Sequence, residues 1–177
     1  MKKNETPDAT ELLRQDHETV KELFAEFETA SENEDNDEKA EIIEEITAAL
    51  EAHAAIEEEI FYPAVKKARS ENTKDEVREA YEEHQQIKNL LAALGELNPD
   101  DESYNAKVKV LREDVEHHVT EEEGEMFPDA RKFIGKEKLQ ALGEKIAAMK
   151  AELVPEDTEA EELDEKAGSK QKKGKAR

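Results

Sequence analysis

His53-Ala-Ala-Ile-Glu57-Glu58-Glu59-Ile60-Phe61-Tyr62-Pro63 and His118-Val119-Thr120-Glu121-Glu122-Glu123-Gly124-Glu125-Met126-Phe127-Pro128 are two versions of one phrase. In each, a glutamate follows the histidine at four residues and a proline at ten, with an aromatic residue directly before the proline. Each phrase is preceded by a single histidine, His17 in one case and His84 in the other. An internal repeat of this kind predicts two similar helical hairpins. Residues four apart on a helix lie about 6 Å along the axis on nearly one face. His53 and Glu57 therefore converge on one point, and so do His118 and Glu122.

Outward from these phrases, four segments carry apolar residues at steps of three and four. The first is expected from about Pro7 to Ala30, capped by Thr6 or Asp8, with Glu11 completing a capping box with Asp8. Leu13, Val20, Phe24 and Phe27 form its stripe, with His17 among them. After the polar stretch 31–37, the second runs to about Tyr62 with Ile46, Leu50, Ile56, Ile60 and Phe61 inward. Pro63 cannot donate an intrahelical hydrogen bond and is expected to kink or end it. The third, from about Thr73, places Val77, Tyr81, His84, Ile87, Leu91 and Leu94 on its inner stripe and stops near Asn98-Pro99. The fourth, from about Ser103, carries Val108, Leu111, Val115, His118, Glu122 and Met126, with Pro128 closing it. The fold class is thus all-α, an up-down antiparallel four-helix bundle. Leu139, Leu142, Ile146 and Met149 mark an extra C-terminal helix, expected to pack on the bundle rather than to serve an oligomer contact. These elements make one domain over residues 7–153, followed by a charged, disordered tail over 154–177.

Charge narrows the function classes. The net charge of −22 repels phosphates and anionic lipid, so neither nucleic acid nor a membrane is expected as a partner. No run approaches membrane-spanning length and the basic start has no apolar stretch after it, so cytoplasmic residence is expected. With no cysteine, disulfides, thiolate ligands and thiol chemistry are excluded. Any metal must be held by nitrogen and oxygen.

Packed as a bundle, the two hairpins bring together His17, His53, Glu57, His84, His118 and Glu122. A single histidine on an apolar stripe is more often a hydrogen-bonded core group than a ligand. Four such histidines, two of them followed at one interval by glutamate, are different, because an unpartnered buried carboxylate is costly and coordination removes the cost. Imidazole with bridging carboxylate suits iron, manganese or zinc. Tyr81, one turn before His84, is read as a packed core residue with the alternative of a hydrogen bond to a metal-bound oxygen. His117 falls on the polar side of its helix, with Glu113, Asp114 and Glu121. Ferritin-like bundles would need Glu-x-x-His pairs, which do not occur, and a His-Glu-x-x-His protease motif fails because Lys21 stands where its second histidine should be.

Across roughly residues 10 to 130, the H…HxxxE…H…HxxxE pattern resembles the hemerythrin-like HHE cation-binding domains. The resemblance implies two iron ions in an oxo- or hydroxo-bridged centre, bridged by Glu57 and Glu122 and ligated by the four histidines. Oxygen-carrying hemerythrins have a fifth histidine, from an HxxxH pair on the third helix; here Lys88 stands four after His84. That departure speaks against plain oxygen carriage and leaves a metal position for water, dioxygen, peroxide or nitric oxide. The expected function is a non-enzymatic binder or sensor of oxygen or iron. The alternative is a di-iron enzyme that decomposes hydrogen peroxide or oxidises iron.

Overall fold

A computed structural model of the chain describes residues 7–68 and 71–153. Helix α1 spans Ala9–Glu32 and opens with the expected capping box: the Asp8 carboxylate accepts from the Glu11 amide at 3.1 Å, and the Glu11 carboxylate accepts from the Asp8 amide at 2.9 Å. A short turn, with Glu34 in the left-handed region at φ 57°, leads to α2, Asn36–Ile56, capped by Asp35. Helix α2 does not stop at Pro63. It passes through one wide π turn, Glu57–Phe61, into α3, Tyr62–Lys67. Helix α4, Glu71–Gly95, then returns along the bundle. The fourth rod repeats the second, with α5 over Tyr104–Glu121, a π turn over Glu122–Met126 and α6 over Phe127–Phe133.

The prolines thus correct one expectation, since neither Pro63 nor Pro128 ends its rod. Each lies in the first turn of the helix after the π turn, a position where proline is tolerated. The amides of Tyr62 and Phe127 reach back five residues to the carbonyls of Glu57 and Glu122.

Two hydrophobic clusters reveal the topology. One joins the later part of α1 (Val20 to Ala30) and the early part of α2 (Ile42 to Leu50) to late α4 (Ile87 to Leu94) and early α5 (Tyr104 to Val115). The other joins the opposite ends: Leu12 and Leu13, Ile56 to Val65, Val77 and Ala80, and Met126 to Ala130. Neighbouring rods therefore run antiparallel, as an up-down bundle requires. None of the six candidate ligands belongs to either cluster; they form the layer between them.

Helix α7, Lys136–Leu153, packs against α1 and α2, as expected of the extra helix. Leu139 and Ile146 are fully buried in the second cluster. Gly143 makes this approach close: a Cβ there would collide with the Pro7 carbonyl and lie 3.1 Å from the Ala9 nitrogen. Lys39, unremarked in the sequence, is buried at the other end. Its ammonium donates to Asn36 Oδ1 at 2.9 Å and to the Pro99 carbonyl at 2.6 Å, and lies 5.4 Å from the Tyr104 ring centre. That contact joins α2 to the α4–α5 connection. Among the described residues no helix is long and apolar enough to cross a membrane. The charged segment 154–177, expected to be a tail, lies outside the described residues.

Candidate metal centre

All six candidate ligands are buried and face one another. His17 and His53 bring their Nε2 atoms to 3.2 Å, and His84 and His118 do the same at 3.2 Å. Nitrogens each about 2.1 Å from one ion and at roughly right angles would stand about 3 Å apart, so each pair has the spacing of two ligands on one cation. Glu57 Oε2 lies 3.2 Å from His53 Nε2 and 3.3 Å from His84 Nε2, reaching from one histidine pair to the other. Glu122 Oε2 mirrors it, 3.3 Å from His17 Nε2 and 3.6 Å from His118 Nε2. The donor atoms fall into two groups, His17, His53, Glu57 and Glu122 in one and Glu57, His84 and His118 in the other.

The layer fits cations on its own chemistry. Glu57 Oε1 and Glu122 Oε2 are buried with no hydrogen-bond partner, an arrangement that costs folding energy unless something positive completes it. Burial drives the His53 imidazole toward its neutral form, but the adjacent Glu57 carboxylate, with Asp16 and Glu122, outweighs this and pushes its pKa up to about 10. Burial likewise opposes ionisation of Glu57, yet His53, His118 and His84 hold its carboxyl well below the usual range. Without metal, the His53 imidazole keeps its proton beside Glu57.

Four further carboxylates, outside the residues the sequence pattern singles out, orient the ring nitrogens. Each histidine has its Nδ1 against one of them: His17 on Glu123 at 2.9 Å, His53 on Asp16 at 3.5 Å, His84 on Glu58 at 2.9 Å and His118 on Glu83 at 2.7 Å. A proton on Nδ1 donated outward leaves the Nε2 lone pair aimed inward, the tautomer a metal needs. A signal for them was present in the repeat. Asp16 and Glu83 immediately precede the single histidines, and Glu58 and Glu123 immediately follow the paired glutamates.

The π turns do the remaining positioning. By widening one turn after Glu57 and Glu122, they return Tyr62 and Phe127, five residues later, to the face of the site. Tyr62 stacks on His84 at 5.6 Å, and Phe127 lies nearly parallel to His17 at 5.8 Å. Here the two halves differ chemically. The Tyr62 hydroxyl donates toward Glu122 Oε1 at 2.9 Å and Glu57 Oε2 at 3.1 Å, whereas Phe127 offers only an apolar wall. Burial, then the charges of Glu57 and Glu122, raise the Tyr62 pKa well above its ordinary value and keep the hydroxyl a donor. Tyr81, the tyrosine weighed in the sequence, takes its packing role instead: its hydroxyl meets the Glu58 carbonyl at 3.4 Å and its ring packs on Tyr62. Tyr62→Phe should retain the fold, since Phe127 already fills the matching position. With metal removed, it is expected to cost about 1.5–3 kcal/mol, the value of a hydrogen bond to charged groups, measured by urea unfolding.

On the side away from Tyr62, the four histidines floor a partly open space of about 20 Å³, room for a water-sized ligand. Its lining is mostly apolar, with Val20, Leu50, Ile87, Leu91, Val115 and Val119, and also includes Asp16, Glu51 and Lys88.

This fold and this layer of histidine and glutamate define a helical cation-binding bundle. The family model described as the hemerythrin HHE cation binding domain matches residues 8–130, and the chain belongs to that family. A crystal structure of a hemerythrin HHE cation binding domain-containing protein, the Rv2633c homologue of Mycobacterium kansasii, superposes with a TM-score of 0.72 at 26% identity, covering 83% of this chain and 87% of that one. An uncharacterized protein of Mycobacterium tuberculosis, strain H37Rv, is 28% identical over 79% of this chain and 83% of its own. A Nostoc protein named DNA nickase is 28% identical over 81% of this chain, which spans only 39% of that relative's length.

Proposed function

We propose that His17, His53, Glu57, His84, His118 and Glu122 hold two metal ions, iron in the native protein, and that the centre binds dioxygen or nitric oxide as a binder or sensor. The observation that carries this reading is the pair of buried carboxylates, each reaching both histidine pairs and each with an oxygen left unpartnered. In it, each histidine pair would ligate one ion, and Glu57 and Glu122, each within reach of both pairs, would supply the carboxylate oxygens. Bound iron would supply an open coordination position and the electrons that reversible uptake of such a ligand needs.

The rest is done by the chain. The 20 Å³ space beside the histidines has room for a small ligand, and its mostly apolar lining favours one without charge. Tyr62 closes the opposite side and holds the carboxylates in place with its hydroxyl. Lys88, where oxygen carriers have a fifth histidine, pairs with Glu58 at 2.8 Å, which leaves an ion there one protein ligand short. A net charge of −22 opposes approach to phosphate and speaks against a nickase role like the one the Nostoc relative is named for.

Elemental analysis and optical spectroscopy of protein purified under reducing conditions test the reading. Two irons per chain are expected, with near-ultraviolet absorption after exposure to air and a spectral change when nitric oxide is added to the reduced form. Saturation at one tightly held ion would overturn the two-metal arrangement. Sustained dioxygen evolution from peroxide, lost with the ligands, would replace the binder by an enzyme.

A further inference from the structure

Three of the four carboxylates that orient the histidines have a second, basic partner. Arg14 meets Glu123 at 2.9 Å, Lys88 meets Glu58 at 2.8 Å, and the Lys150 ammonium contacts Asp16. On the fourth, Glu83, the corresponding place is taken by His117 and Glu121. Glu83 Oε2 accepts from His118 while its Oε1 lies 3.5 Å from His117 Nε2, and His117 Nε2 is 3.3 Å from Glu121 Oε1.

The difference follows from the architecture. Glu83 is the repeat counterpart of Asp16, and the lysine on Asp16 comes from α7, which packs on the first hairpin. The second hairpin's face at Glu83 instead opens into a furrow of about 540 Å³ lined by Glu79, Glu82, Glu83, Asp114 and His117. Arg78 and Gln86 also line it, and Arg78 is engaged by Asp75 at 2.5 Å. His117 and Glu121 form another His-x-x-x-Glu pair, one residue out of phase with His118 and Glu122 and so turned about 100° around the helix, with His117 lining this furrow. One donor atom from each of Glu83, His117 and Glu121 lies within 4.8 Å of the other two. That spacing lets all three reach one ion at bond lengths of about 2.0–2.2 Å with small side-chain adjustments.

We propose that Glu83, His117 and Glu121 form an outer site for a divalent transition-metal cation, set where the other three carboxylates have lysine or arginine. One imidazole and two carboxylates, completed by water, suit zinc, manganese or ferrous iron. The site is open to solvent, with the His117 side chain 63% exposed, so it binds more weakly than the buried layer. Glu83 touches both sites, one oxygen on each.

Calorimetric titration of the metal-free full chain with zinc, in salt near 0.15 M to screen the diffuse acidic surface, tests the outer site. Wild type is expected to show a third, weaker binding event after the central ions. That event should weaken tenfold or more in His117→Ala and in Glu121→Gln, with the tight events unchanged. A third event that persists in both variants would assign it to the general acidic surface and overturn the proposal. So would its absence from wild type. Loss of the tight events with the weak one retained would sink the central reading and not this one.

Discussion

Chelation of the bound metal is expected to lower the melting temperature by roughly 10 °C. Without cations the core keeps Glu57 at 0% exposure and Glu122 at 1%, each with an oxygen lacking a partner. An unsatisfied buried polar group costs about 1–3 kcal/mol, and more if charged. In a domain of 150–250 residues each kcal/mol moves the midpoint by about 2–4 °C. The loss stops short of unfolding, because protons substitute for metal in the layer. The substitution depends on pH. The folded pKa of His53 is raised from 6.5 to about 10, so the stability its proton contributes is complete below about pH 6.5 and disappears as pH rises through 10. The gap between loaded and metal-free protein should therefore widen from pH 7 to pH 10, as measured by calorimetry on samples whose metal content is verified. An unchanged melting curve after verified removal would show that the layer holds its shape without cations.

The sequence makes the histidine and glutamate layer more legible than the turns that build it. Apolar stripes at helical spacing and a phrase repeated with the same intervals are enough to place four rods, because both depend on 3.6-residue periodicity alone. A π turn is a one-residue departure from that periodicity, and nothing in Glu57–Phe61 or Glu122–Met126 interrupts the apolar pattern to announce it. Pro63 and Pro128 therefore read as breakers, although both sit where a new helix segment tolerates them. Missing the π turns also obscured Tyr62: an uninterrupted α-helix does not return the fifth residue after Glu57 to the same face, so Tyr81 was the tyrosine in view. The orienting carboxylates were hidden for another reason. Among 48 acidic residues, Asp16, Glu58, Glu83 and Glu123 stand out only once the histidines' outer nitrogens are seen to point at them.

His118→Ala is expected to lose the central metal, while the neighbouring His117→Ala retains it. Composition and residue type do not separate the two, but helical phase does, since adjacent residues point about 100° apart. His118 lies in line with Leu111, Val115 and Glu122, all buried, and is itself 3% exposed; the His117 side chain is 63% exposed and turned to Glu83 and Glu121. The repeat gives the same answer independently, because it is His118 that stands four before Glu122 and ten before Pro128, as His53 stands to Glu57 and Pro63. Removing His118 takes away one nitrogen of the His84 and His118 pair, 3.2 Å apart, and leaves the Glu83 carboxylate without its Nδ1 partner. Losing one protein ligand and its support is expected to weaken metal binding a hundredfold or more, beyond the 10–100-fold typical of removing only a supporting partner. His117→Ala removes neither. Iron per chain after desalting measures the difference: near-complete loss is expected for His118→Ala and wild-type content for His117→Ala. Full loading of the first beside loss from the second would mean that the fourth rod presents the other histidine to the centre.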